Sequence, residues 1–157
     1  MDSNAVRPLL EQSVEIVASP GDVWALVSDV CRIPEWSPQV TSTRLRSGHE
    51  RCELGAQFTN RNVHGELEWT THGEIVRWEP ERELAFRIAE NWAVWSFHLA
   101  SVAAGTRLTQ RRETPEGISD LSAELTDGFM GGQDAFTESL LAGMAQTLDR
   151  IRAASEG

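Results

Sequence analysis

The hydrophobic period changes once along this chain, and that change limits what it can fold into. From Val40 to Thr114, apolar side chains recur at every second residue in six segments. From Phe136 to Ile151 they recur at every third or fourth. The first spacing marks strands with one buried face, the second an amphipathic helix. The strand segments are Val40–Arg46, Gly55–Asn62, Glu66–Trp78, Leu84–Ala89, Trp92–Ala100 and Thr106–Thr114. Their apolar faces carry Phe58, Asn60 and Asn62; Leu67, Trp69, Thr71, Gly73 and Ile75; Leu84, Phe86 and Ile88; Trp95, Phe97 and Leu99; and Leu108, Gln110 and Arg112. The helix stripe is Phe136, Leu140, Met144, Leu148 and Ile151, with Arg150 and Arg152 near the helix end, where they complement its dipole.

Ahead of this run, Ser13–Ala18 alternates as a first strand. Ser19 suits an N-cap, Pro20 the first helical position, and Asp22 can close a capping box. The helix so begun carries Val23, Trp24, Leu26, Val27 and Val30, and Ile33–Pro34 ends it. Glu35–Ser37 makes one further turn before Pro38. The order is strand, two short helices, six strands, long helix: an α+β chain with an antiparallel sheet. The long helix must bury its stripe on one sheet face. A sheet curling around it leaves a space between them, with the short helices at one end. Trp36 stands there as core plug, cavity wall or both.

The chain has 157 residues, the size of one domain. We assign residues 12–153 to it and residues 1–11 to a flexible segment. The longest wholly apolar run, Val23–Val27, is far short of a membrane span. The first residues lack a signal-peptide pattern, so the expectation is a soluble cytoplasmic protein, monomeric or homodimeric. A net charge of −10 argues against nucleic acid. The chain has no Lys and no Tyr, which excludes Schiff-base, Walker-lysine and tyrosine chemistry. Cys31 and Cys52 belong to no C-x-x-C pair and read as reduced, partly buried thiols.

The stretches "ASPGDVWALVSDVCRIPEWSP", "GAQFTNRN", "EPERELAFR" and "GMAQTLDRI", in this order, resemble the polyketide cyclase/dehydrase and lipid-transport group of the START-like (SRPBCC) superfamily. The resemblance implies a helix-grip fold: a curved seven-stranded antiparallel sheet wrapped around the long C-terminal helix, enclosing an apolar cavity. It implies binding of a hydrophobic small molecule. Two function classes stay open: a cofactor-independent cyclase or aromatase of lyase type acting on a polyketide-like substrate, and a non-catalytic lipid or isoprenoid carrier. An interaction protein with a filled core is a third. If the substrate is tethered, an acyl carrier protein is the partner, and Arg44, Arg46 and Arg51 are the basic residues for it to meet.

Inward parity selects the candidate site. Arg112, Asn60 and Asn62 are the candidate catalytic groups. Trp36, Phe58, Trp69, Thr71, Phe86, Trp95, Gln110, Phe136, Leu140 and Met144 are the candidate ligand-binding residues. His49 and His64 lie beside Gly in expected turns and should be exposed, while His72 and His98 point outward by parity. No spacing suggests a metal, and no cofactor is implied. Asp134 and Glu138, one turn apart, belong to a solvated helix face. Residues 118–132, ending in Gly131–Gly132, form a short amphipathic stretch suited to admit ligand by moving.

Overall fold

A computed structural model of the chain describes residues 9–115 and 133–156. The expected lid, Ile118 to Gly132, lies outside the described residues, as does the Asp134 side chain. Seven strands form one antiparallel sheet: β1 (Leu9–Ile16), β2 (Val40–Leu45), β3 (Gln57–His64), β4 (Leu67–Glu79), β5 (Glu83–Ile88), β6 (Val94–Val102) and β7 (Gly105–Glu113), in the order β1-β7-β6-β5-β4-β3-β2. Between β1 and β2 stand helix α1 (Pro20–Val27), a 3-10 turn (Val30–Arg32) and α2 (Ile33–Trp36). Helix α3 (Gln133–Glu156) closes the chain and packs against β1, α1 and α2. This is the helix-grip architecture.

Two boundaries differ from expectation. Strand β1 starts at Leu9, inside the segment read as flexible, because its whole length pairs with β7, from Leu9 opposite Glu113 to Ile16 opposite Thr106. Leu10 is 2% exposed beneath α3. On the outer face, Arg107 Nη2 to Glu15 Oε1 at 2.9 Å and Arg111 Nε to Glu11 Oε2 at 2.7 Å hold the same register. Helix α3 runs on to Glu156, so Arg150 is not in its last turn. Its guanidinium turns instead to the C-terminal end of α2, where Nη1 donates to the carbonyl of Trp36 at 3.1 Å.

Local chemistry places the short helices. Ser19 Oγ accepts from the Asp22 N–H at 3.2 Å, and Pro20 opens α1. Asp29 Oδ1 accepts from the Cys31 N–H at 3.1 Å, starting the 3-10 turn. Arg32 grips Glu35 through two bonds, at 2.8 and 3.0 Å, and lies 5.0 Å over the Trp36 ring. The "RIPEW" segment is thus fixed from outside before its Trp reaches inward.

The sheet bends where register slips, between Val40 and Ser42 against β3 and between Ile75 and Arg77 against β5. The β5–β6 and β6–β7 pairings run without a slip. Parity therefore holds to the end of the sheet.

Candidate functional site

Three parts of the core meet without filling the space between them. Trp36 and Phe97 belong to a cluster with α1 and the end of α3; Phe86 and Ile88 belong to one around Phe58; Leu140 and Met144 pack with Leu10. All six border a partly open cavity of about 140 Å³. That is close to the ~150 Å³ that holds one benzene ring in a dry protein cavity.

Twelve of the thirteen candidate site residues line this cavity. α2 contributes Trp36, β3 Asn60 and Asn62, β4 Trp69 and Thr71, β5 Phe86, β6 Trp95, β7 Gln110 and Arg112, and α3 Phe136, Leu140 and Met144. Phe58 does not. It is fully buried behind the wall, edge-on to Phe86 with ring centroids 5.2 Å apart. Its ring occupies the space over Gly73 on β4, where a Cβ would collide with it. A large residue opposite a glycine sinks into the sheet rather than standing over it, and period alone does not report that depth.

The polar wall groups fall into two sets. On β3 and β4 they satisfy one another: Thr43 Oγ1 donates to Asn60 Oδ1 at 2.7 Å, and Asn62 Nδ2 donates to Thr71 Oγ1 at 3.0 Å and to the Trp69 carbonyl at 3.3 Å. On β7 they do not. Gln110 Oε1 is buried with no hydrogen-bond partner among the described residues. Arg112 is 6% exposed, and among the described residues no carboxylate pairs with it. Its contact is the Trp95 ring, 6.0 Å from guanidinium carbon to centroid. Burial pushes its pKa down to about 10, so it still carries its charge at neutral pH. β5 and β6 separate the two sets in the sheet. No Asp, Glu, His or Cys is among the described residues lining the cavity, so Arg112 is the one ionisable group there.

Parity missed several wall residues. Ser139, Gly143 and Thr147 interleave with Phe136, Leu140 and Met144 on α3. Their i, i+4 spacing was readable, but small polar side chains carry no hydrophobic signal. Pro38 and Gln39 belong to the link after α2, and Asn91 to the β5–β6 turn, where period is silent. In that turn Asn91 Oδ1 accepts from the Ala93 N–H at 2.9 Å, and Trp92 holds a left-handed φ of 64°.

His64 departs from expectation. It is the last residue of β3, half-buried, with Nδ1 3.3 Å from Gln39 Nε2 and its ring edge-on to Phe136, centroids 6.1 Å apart. His72 and His98 face outward. His72 Nδ1 lies 2.6 Å from Glu90 Oε2. His98 Nε2 lies 2.9 Å from Ser96 Oγ, with Glu83 Oε1 3.7 Å from its Nδ1. This has the order of a serine triad, but Ser96 is 1% exposed and no substrate can reach it. Burial first, then Arg111 and Arg77, lower the His98 pKa against the pull of Glu83 and Glu113.

Cys31 and Cys52 are free, and Cys31 is exposed rather than partly buried. Desolvation by neighbouring atoms, partial even at the exposed Cys31, is the main cause that raises both thiols, which makes them poor nucleophiles at neutral pH. Glu138 is exposed, on the solvated face of α3. Arg44, Arg46 and Arg51 are exposed, and none lines the cavity; β2 reaches it through Val40, at the strand's other end. Arg46 Nη1 donates to Gln57 Oε1 at 3.2 Å, and Arg51 pairs with Glu53 at 2.6 Å. No described helix is long and apolar enough to cross a membrane, and no described group of His, Cys, Asp and Glu fits a metal.

A sheet gripping a helix over a chamber defines a START-like fold. The chain belongs to the polyketide cyclase/dehydrase and lipid transport family, whose model matches residues 7–156. Among solved structures it is similar to the Polyketide_cyc-like protein Cgl2372 of Corynebacterium glutamicum, with 28% identity over 93% of this chain and 90% of that one, and a TM-score of 0.63. The fold recurs in the di-domain ARO/CYC StfQ of the steffimycin biosynthetic pathway, with 14% identity, TM-score 0.73, and 95% of this chain against 50% of that one. It recurs again in major latex-like protein 151 of Panax ginseng, with 16% identity, TM-score 0.69, and 95% and 97% coverage. No curated protein matches the sequence.

Proposed function

We propose that this protein binds a hydrophobic small molecule in the cavity between its sheet and α3, with an oxygen of the ligand directed at Arg112. The observation that carries this reading is the buried Arg112 guanidinium, unpaired among the described residues, in a chamber whose other described lining side chains are apolar or uncharged. A charge held there without a partner among the described residues is costly unless a ligand neutralises it. The cavity is smaller than the ~300–1,000 Å³ usual for drug-sized ligands. One ring fits the chamber as it stands, and a longer ligand requires the wall to open.

The same cation supports a second reading, cyclisation or aromatisation of a polyketide-like substrate. An enolate or alkoxide forming beside Arg112 would be stabilised in a dry site. Binding without turnover stands first, because the described wall offers no side chain that takes up or gives a proton near neutral pH. On either reading Asn60, Asn62 and Thr71 position the ligand by its polar edge.

Cavity filling tests the proposal. A Cβ on Gly143 would meet only Pro38, at an ordinary 3.5 Å, so a larger side chain there has room to enter the chamber. Toluene at saturating concentration should raise the melting temperature of the wild type and leave Gly143→Leu unchanged. Equal stabilisation of both proteins would place the ligand elsewhere and refute the reading.

A further inference from the structure

The polar end of the cavity specifies more than an apolar ligand. Arg112 and Gln110 leave β7 on the same face, two positions apart, so their backbone positions are about 7 Å from each other. Each is more than nine-tenths buried: Gln110 is 8% exposed and Arg112 6%. Across the β6 ladder, Arg112 faces Trp95 and Gln110 faces Phe97. The two polar groups therefore emerge between aromatic walls, and neither has a hydrogen-bond or ion-pair partner among the described residues.

Their needs differ. Arg112 offers donors and a full positive charge. A neutral carbonyl would satisfy one or two donors and leave that charge buried, whereas a carboxylate cancels it and accepts two parallel bonds. The Trp95 ring, 6.0 Å from the guanidinium carbon, offsets only a small part of the cost of burying that charge. Gln110 Oε1 is an acceptor shielded from water, and it needs a donor. Leaving that bond unmade costs the full desolvation of the oxygen. A carboxylate alone cannot meet that need, because it too only accepts.

Resting on the reading that this cavity binds a small molecule, we infer that its ligand is a planar apolar acid carrying a hydroxyl or N–H next to the carboxyl group: the carboxylate sits on Arg112, the adjacent donor on Gln110 Oε1, and the ring between Trp95 and Phe97. An ortho-hydroxyaryl acid is the simplest member of this class. A single such ring suits a chamber of about 140 Å³.

The test is a titration of the wild type with salicylate, benzoate, salicylamide and toluene, following tryptophan fluorescence at neutral pH and constant ionic strength. Salicylate should bind at least about tenfold tighter than salicylamide, which keeps the hydroxyl and loses the charge. It should bind several-fold tighter than benzoate, which keeps the charge and loses the donor. Arg112→Met should remove the preference for salicylate over salicylamide while toluene still binds. Gln110→Met should remove the preference for salicylate over benzoate. Toluene binding with no preference for salicylate over salicylamide would overturn the inference and leave the cavity reading standing. Failure of all four to bind would overturn both. The wild-type comparison decides these outcomes even if a variant does not fold.

Discussion

Arg150, three-quarters of the way down the last helix, donates from Nη1 to the backbone carbonyl of Trp36, 3.1 Å away and 114 residues earlier in sequence. One bond thus ties the helix that floors the cavity to the short helix that supplies its end wall. Arg150→Met keeps the length of the side chain and removes the donor. It should cost about 1–2 kcal/mol by urea denaturation. It should also speed amide exchange at Ser37, whose N–H closes α2 on the Ile33 carbonyl. Unchanged exchange at Ser37 would mean that α2 is held by packing alone.

Arg112 has the opposite relation to stability. It sits buried and unpaired among the described residues, with a pKa pushed down to about 10 by desolvation. Arg112→Met fills the same space without a charge. The ligand-free protein should gain about 1–3 kcal/mol in urea denaturation. A loss of stability would show that the guanidinium contributes to the fold and is not held for a ligand.

Gly73 and Phe58 are coupled through space. A Cβ on Gly73 would collide with the Phe58 ring opposite it. Gly73→Ala should destabilise by about 1–3 kcal/mol, as overpacking does. Phe58→Leu in the same chain should recover part of that, so the two costs should not add. Strict additivity in the double-mutant cycle would separate them.

His98 makes stability depend on pH. Its folded pKa lies below the ordinary 6.5, with desolvation the first cause. The unfolded chain therefore takes up this proton at a pH where the folded one does not. Stability from neutral His98 is complete above about pH 6.5 and falls as pH drops below it. His98→Gln keeps a partner for Ser96 and removes the titration. Between pH 7.5 and 5 its melting temperature should fall less than that of the wild type. Parallel curves would contradict the assignment.

Period 2 told which side of each strand faces the helix, and the described strands keep that side because the outer face is wet. Asn60, Asn62, Thr71, Gln110 and Arg112 were placed inward by their apolar neighbours alone, and all five line the cavity. Depth was not legible. Phe58 lies behind the wall because of a glycine fifteen positions later, on the next strand. Pairing was not legible either: whether Asn62 meets Thr71 while Gln110 meets nothing depends on register, which the pattern of one strand does not contain. His64 was misread because Gly65 signalled a turn, whereas the ring lies back against Gln39 and Phe136. Arg150 was read against its own helix dipole, and its partner turned out to be another helix.

The chain's six tryptophans decide the central claim most directly. Trp36, Trp69 and Trp95 line the cavity, while Trp24, Trp78 and Trp92 do not. Their indole N–H groups give separate signals in a ¹⁵N-labelled protein. On titration with toluene the first three should shift together with one dissociation constant, and the other three should stay in place. Shifts confined to Trp24, Trp78 and Trp92, or no shift at any of the six, would contradict an internal site between the sheet and the last helix.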